Sequence, residues 1–277
     1  MSTATDYKKA AVECWSADPC GAVASEGELG TRAYFEKLLQ ARHDYAPWME
    51  ASLGYDETAG RDVLDVGCGQ GIDLARYAMA GANAVGVDLT PRHVMLANAH
   101  LAALRLPGGA IVSDAEALPF ADRSFDRASS NGVLHHTPGI AAALREIHRI
   151  LRPRGEARII LYNRNSFHYW LTQVLYRGVL HGELIREGSM AGVLSSGVEY
   201  SHIGARPLVR VYSPDEVRRL LADAGFGTST VAVRHYNYRD TPVTAILGSR
   251  LKAFRDERLL DRLGRVGGWY LVARALA

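Results

Sequence analysis

The sequence predicts an α/β fold built on a parallel sheet, and three observations carry that reading. From residue 61, short apolar runs alternate with segments of helical periodicity, the pattern of strands joined by crossover helices. The first run ends in a glycine-rich turn, VLDVGCGQG (63–71). Asp65 lies inside the first strand, and Asp88 and Asp114 end the second and third. All three carboxylates would reach the carboxyl edge of one sheet, where open α/β folds bind ligands.

Residues 1–60 read as helical and irregular. Thr31 is placed to cap a helix carrying Tyr34, Leu38 and Tyr45 on one broad face until Pro47 interrupts it, and 17–30 reads as a loop. Residues 61–67 form a buried strand and 72–80 a helix stopped by Gly81. The second strand is 83–89, and Pro91 suits the first turn of the helix after it. Further strands are predicted at 109–114, 125–131 and 156–162. A helix over about 139–151 is closed by LRPRG (151–155). Beyond 163 the alternation breaks, and 163–210 reads as an inserted cap that mixes Tyr, His, Trp and Gly. Ser213 and Glu216 make a capping box for a helix stopped by Gly225. Strands at 229–236 and 269–276 then flank a helix around 243–263. Four segments follow: an N-terminal cover (1–60), a core (61–162), a cap or lid (163–210) and the C-terminal part of the core sheet (211–277).

Bulk composition narrows the function. The chain has 277 residues, 48% of them hydrophobic and 22% charged, an ordinary globular balance. A net charge of +2 argues against a nucleic-acid partner, which needs a clustered basic face. No run reaches the ~18 apolar residues of a membrane span, and MSTATDYKKA lacks the apolar core of a signal peptide. The expectation is a cytoplasmic protein with no membrane partner. Cys14, Cys20 and Cys68 form no paired redox or metal motif, and the scattered histidines lack ligand spacing, so no metal site is expected.

The glycine turn admits several ligands at first. A phosphate loop requires a lysine after its glycines, and none follows here. The dinucleotide fingerprint requires Gly-x-Gly-x-x-Gly; Gly67 and Gly69 match, but Ile72 stands at the third position. A purely structural turn is the bland alternative. Against it stands Asp65, a carboxylate that is costly to bury without a partner. Asp88 is placed to accept both hydroxyls of a ribose, and Asp114 to accept from an adenine amino group. A ligand with an ammonium group, a ribose and an adenine but no phosphate suits all three. S-adenosylmethionine is such a ligand.

With these residues in view, the chain resembles a class I S-adenosylmethionine-dependent methyltransferase. It is similar to the broad methyltransferase-11 group and to quinone-ring C-methyltransferases. The matching stretches are VLDVGCGQG, GVDLT (86–90), SDAEALPFADRSFD (113–126), NGVLHHTP (131–138) and EIHRILRPRGEARIILY (146–162), covering roughly 61–162. The resemblance implies a Rossmann-like seven-stranded sheet with helices on both faces and the last strand antiparallel. It also implies that Asp65, Gly67 and Gly69 hold the methionine end of the cofactor. Asp88 would take the ribose, Leu89 would lie against the adenine, Asp114 and the Ala115 backbone would meet its amino edge, and Asn131 would lie under the sulfonium. Relatives often fold an N-terminal helix over the cofactor, which makes Tyr34 and Arg42 candidate covering residues. Cys68 reads as a small filler.

Methyl transfer from a sulfonium is an in-line displacement in which positioning and desolvation supply most of the acceleration. A base is needed only for an acceptor that arrives protonated, and an imidazole suits that task near neutral pH. His135 and His136 follow the fourth strand and are the candidates; capping the next helix or hydrogen bonding to the backbone is their structural alternative. In 163–210, His168, Tyr169, Trp170, Tyr176, His181, Tyr200 and His202 suggest an aromatic lid, with Tyr200 and His202 singled out as substrate contacts. SNGVLHH (130–136) departs from the Asn/Asp-Pro-Pro-aromatic motif of enzymes that methylate DNA bases or protein glutamine. The expected partner is a small-molecule acceptor, methylated on O, N or C in secondary metabolism. A quinone-ring acceptor ranks second, and a silent cofactor-binding subunit is the non-enzymatic alternative. A homodimer through the cap or the N-terminal helix is also expected.

Overall fold

The computed structural model describes residues 3–20, 28–199, 201–250 and 256–277. Seven strands form one sheet: β1 (Asp62–Val66), β2 (Asn83–Asp88), β3 (Gly109–Val112), β4 (Phe125–Asn131), β5 (Leu151–Tyr162), β6 (Thr228–Arg234) and β7 (Tyr270–Leu276). Their order across the sheet is β3-β2-β1-β4-β5-β7-β6. β1 to β5 pair in parallel, and β7 runs antiparallel to both β5 and β6. Two antiparallel pairings restore the direction of β6 to that of β1. The residues after β6 and before β7 therefore join those after β1–β5 at one carboxyl edge.

Helices cover both faces because each carries one apolar stripe. On α6 (Ile140–Ile150), Ile140, Ala143, Leu144, Ile147 and Ile150 are buried at helical spacing, against Leu64 and Val66 of β1 and Leu221 of α9 (Pro214–Asp223). On the opposite face, Leu74, Ala75 and Tyr77 of α4 (Ile72–Met79) pack with Ala97 and Leu101 of α5 (Pro91–Leu104). Capping follows the sequence: Thr31 accepts from Tyr34 N, and Ser213 and Glu216 bond reciprocally.

The N-terminal helices α1 (Ala4–Ala17), α2 (Arg32–Tyr45) and α3 (Trp48–Leu53) lie along the site. A buried ion network fastens α3 to the sheet. Arg127 on β4 donates to Gly54 O at 2.8 Å, to Glu57 at 3.0 Å and to Glu156 at 2.7 Å, and Arg158 on β5 joins both glutamates. Two arginines in the interior are tolerable only with their charges paired this way.

Two sequence expectations need correction. β5 begins at Leu151, five residues earlier than the predicted strand. LRPRG, read as a closing turn, pairs Leu151 with Phe125 and absorbs a register shift between Phe125 and Arg127. The helix expected over 243–263 is two helices, α10 (Pro242–Arg250) and α11 (Glu257–Gly267), the second opened by Asp256, which accepts from Leu259 N at 2.9 Å. Residues 163–210 form a long π-type helix (His168–Leu180), α7 (Glu183–Glu187) and α8 (Met190–Gly197).

Candidate active site

A cavity of about 550 Å³ runs along the carboxyl edge of the sheet, under α1 and α2. At its floor the β1–α4 loop is shaped by glycines. Gly67 has φ +75°, and a Cβ there would come within 2.4 Å of the Val133 methyls. Gly69 has φ +53°, and no atom lies within 4 Å of where its Cβ would be, so the backbone faces open space.

Asp88 ends β2 beside this loop. Its carboxylate accepts from Gly69 N at 2.9 Å and Thr90 N at 2.8 Å, with His93 Nδ1 at 3.3 Å. Burial opposes its charge, but the bonds from His93, Thr90 and Gly69 outweigh burial and hold its pKa below the ordinary value. Leu89, Asp114 and Ala115 continue the lining. Asp114 accepts from Glu116 N at 2.9 Å and from Lys8 Nζ of α1 at 2.6 Å. Lys8 thus closes α1 over the carboxylate expected to face adenine.

Asn131, at the end of β4, donates to Asp73 Oδ2 at 2.9 Å. Asp73 also accepts from Tyr55 OH at 2.7 Å and lies 3.7 Å from Arg42, which reaches the cavity from α2. Asp65 does not line the cavity. It is buried beneath the loop with Oδ2 unbonded; burial, with Asp73 and Asp88 nearby, pushes its pKa well above the usual carboxylate value. Asp73, in the first turn of the next helix, occupies the cavity wall instead. Tyr34 is likewise set back: its hydroxyl donates to Gln70 Oε1 at 2.7 Å, and Gln70 is the residue at the wall.

His135 and His136 diverge. The fourth strand ends in a short 3₁₀ turn, so consecutive rings point to different sides. His135 is fully buried against Tyr162, ring centroids 3.8 Å apart, with neither nitrogen bonded and off the cavity wall. Burial depresses its pKa well below the usual imidazole value. His136 lines the cavity. Leu208 O lies 2.7 Å from its Nδ1; a carbonyl only accepts, so Nδ1 carries the proton and Nε2 faces Glu199 Oε1 at 3.5 Å. Tyr162 OH donates to the same glutamate oxygen at 2.7 Å. Burial disfavours the Glu199 charge, yet the facing His136 ring and the bond from Tyr162 outweigh it and lower the pKa.

His202 is not in the cavity; it is exposed and bonded to Asp18 at the end of α1. Tyr200 lies outside the described residues. The expectation of no metal site rested on linear spacing. In the fold, His135, His136 and Glu199 offer ligand atoms within 4.8 Å of one another, a grouping that spacing along the chain does not reveal.

Beyond His136 the wall becomes aromatic. Tyr162 at the end of β5 stacks on Trp269 (4.6 Å), and Tyr270 at the start of β7 meets Tyr45 of α2 through their hydroxyls (3.0 Å). These residues, with Lys8, Asp73, Glu199 and Asp240, were not predicted as site residues. The signal for Trp269 and Tyr270 was their place at the head of a strand that runs antiparallel.

Comparisons with known proteins agree with this geometry. A family model described as a methyltransferase domain matches residues 64–159. The ubiquinone biosynthesis O-methyltransferase of Chromobacterium violaceum is 30% identical over 192 residues, 68% of this chain and 72% of that protein. The Pseudomonas aeruginosa protein of the same name is 31% identical over 163 residues; the chain spans 66% of its length, just under two thirds. In fold, the chain is similar to the Burkholderia thailandensis 1,6-didemethyltoxoflavin-N1-methyltransferase solved with its substrate and S-adenosylhomocysteine. That likeness has a TM-score of 0.56 and 19% identity, over 100% of this chain and 91% of that one. An S-adenosylmethionine-dependent methyltransferase from Aquifex aeolicus gives a TM-score of 0.54 at 16% identity, over 88% and 97% of the two chains. The strand order and the cavity over the glycine loop define a class I methyltransferase architecture. The chain belongs to the methyltransferase-domain family, in its S-adenosylmethionine-dependent class I group.

Proposed function

We propose that this protein transfers a methyl group from S-adenosylmethionine to a small-molecule acceptor. The observation that carries the proposal is the continuity of one cavity, from the Gly67–Gly69 loop, Asp88 and Asp114 to His136, Glu199 and the aromatic wall. The bound cofactor supplies an electrophilic methyl on a sulfonium. Gly67 and Gly69 admit its methionine end, with Arg42 and Asp73 offering partners to the carboxylate and ammonium. Asp65 acts from beneath by supporting the loop, and Tyr34 acts through Gln70. Asp88 takes the ribose hydroxyls, Leu89 packs on the adenine, and Asp114 with the Ala115 backbone meets its amino edge once Lys8 yields.

His136 holds the role of base for a hydroxyl or amine acceptor. Its Nε2 takes the acceptor proton as the acceptor atom bonds to the methyl carbon and the carbon–sulfur bond breaks. Glu199 then faces the imidazolium and stabilises it. His135, neutral and buried, fixes the turn rather than the chemistry. The α1–α2 cover and the 163–210 segment shield this path from water.

The test is incubation with methyl-labelled S-adenosylmethionine and a metabolite extract. S-adenosylhomocysteine forming in proportion to a labelled small molecule supports the reading; cofactor binding with no transfer to any acceptor supports a silent subunit instead.

A further inference from the structure

The far end of the cavity, beyond His136, carries more negative charge than its neighbours balance. Asp240 lines it, in the loop after β6, at the opposite end of the strand order from Asp114 after β3. Asp240 Oδ2 accepts from Asn237 N at 2.7 Å. No ion pair joins its carboxylate to any cation among the described residues. Burial pushes its pKa up to about 6.

The nearby histidines do not balance this charge. His168 lies with Nδ1 at 2.8 Å from the Asp240 carbonyl and Nε2 at 2.9 Å from Gln173 Nε2, so one nitrogen donates, the other accepts, and the ring is neutral. His235 accepts from Trp48 Nε1 on Nδ1 at 3.2 Å, and burial lowers its pKa to about 4. Arg42 is turned toward Asp73. Burial raises the Tyr45 pKa and the Tyr270 bond opposes the rise; the charges of Asp240 and Glu199 add to it, and that of Arg42 offsets part of it. Tyr45, Tyr270 and Trp269 line the same cavity. Aromatic faces beside an unpaired carboxylate attract a cation, and a desolvated cavity strengthens that attraction.

We propose that the acceptor carries a protonated amine on a small apolar or aromatic body, with the ammonium held by Asp240 against these rings and the methylated atom turned toward His136. The strand order sets this polarity: cofactor over β1 to β4, acceptor over β5 to β6. The inference rests on the methyl-transfer reading and names the chemical class of its acceptor. A neutral quinone-like acceptor of similar size would leave the Asp240 charge uncompensated.

The test is binding to the full chain saturated with S-adenosylhomocysteine, followed by calorimetry. The probes are amines paired with neutral isosteres of graded size: benzylamine with ethylbenzene, tyramine with 4-propylphenol, and tryptamine with 3-propylindole. At least one amine is expected to bind fivefold or more tighter than its isostere. Asp240→Asn is expected to remove that preference while leaving S-adenosylhomocysteine affinity within twofold, which also shows that the variant folds. A panel in which no amine exceeds its isostere overturns the proposal, as does a preference that survives Asp240→Asn. Loss of S-adenosylhomocysteine binding by the unmodified protein is a separate result, and it counts against the methyl-transfer reading itself.

Discussion

The two halves of the cavity are built by different means. Around the glycine loop the partners of Asp88 lie close along the chain, Gly69, Thr90 and His93 being at most 19 residues away, although Lys8 reaches Asp114 across 106 positions. At the aromatic end the partners come from remote segments. Tyr45 meets Tyr270 across 225 positions, Trp48 meets His235 across 187, and His136 meets Leu208 across 72. A site assembled by one loop and two strand ends holds its shape through local backbone geometry. A site assembled by several distant segments can change its lining more freely, so specificity has room to vary there.

This contrast can be broken by substitution. His136→Ala is expected to lower turnover by about 10²–10⁴-fold, the usual range for losing a general base, with cofactor affinity within twofold of wild type. Steady-state kinetics and calorimetry on one preparation read both. Unaltered turnover across the pH range would reduce His136 to scaffolding. Asp88→Ala is expected to weaken cofactor binding by about 1–3 kcal/mol, the scale of lost charged hydrogen bonds, and to leave binding at the aromatic end alone. Unchanged cofactor affinity removes Asp88 from the ribose role.

Acid separates the halves more gently. His235 has a folded pKa of about 4 against 6.5 unfolded, and His135 is shifted in the same direction. Between those pH values the unfolded chain binds more protons, so stability falls as pH drops from 6.5 toward 4 and levels below it. Asp88 acts with the opposite timing: its folded pKa lies below 3.8, so its contribution is present above 3.8 and lost only as pH falls through the lower value. Denaturant titrations should show a shallower slope over pH 4–6.5 for His235→Gln than for wild type. Identical slopes would show that His235 is not buried neutral.

Legibility in the sequence follows the same division. Glycine spacing and the aspartates at the strand ends are short-range signals, and they located the loop, Asp88, Asp114 and Asn131 along the cavity. Asp65 and Tyr34 lie one layer behind the cavity wall, which a motif does not show, because it names residues without saying which way a side chain points. Asp73 was invisible since a carboxylate in the first turn of a helix is ordinary capping chemistry. Glu199 and Asp240 were missed for a physical reason: their meaning comes from what packs beside them, and Tyr162, His168 and Trp269 reach that place only after the sheet closes. His202 shows the converse, a residue in a promising segment whose ring pairs with Asp18 on the outer surface.

A crystal structure with S-adenosylhomocysteine tests the central claim of one cavity with two ends most directly. The expected result has adenine between Leu89 and Asp114, ribose on Asp88, and the sulfur beside Asn131, facing His136 and Glu199 across the open aromatic end. A ligand whose sulfur faces away from His136, or whose adenine lies among Tyr45, Trp269 and Tyr270, would contradict it.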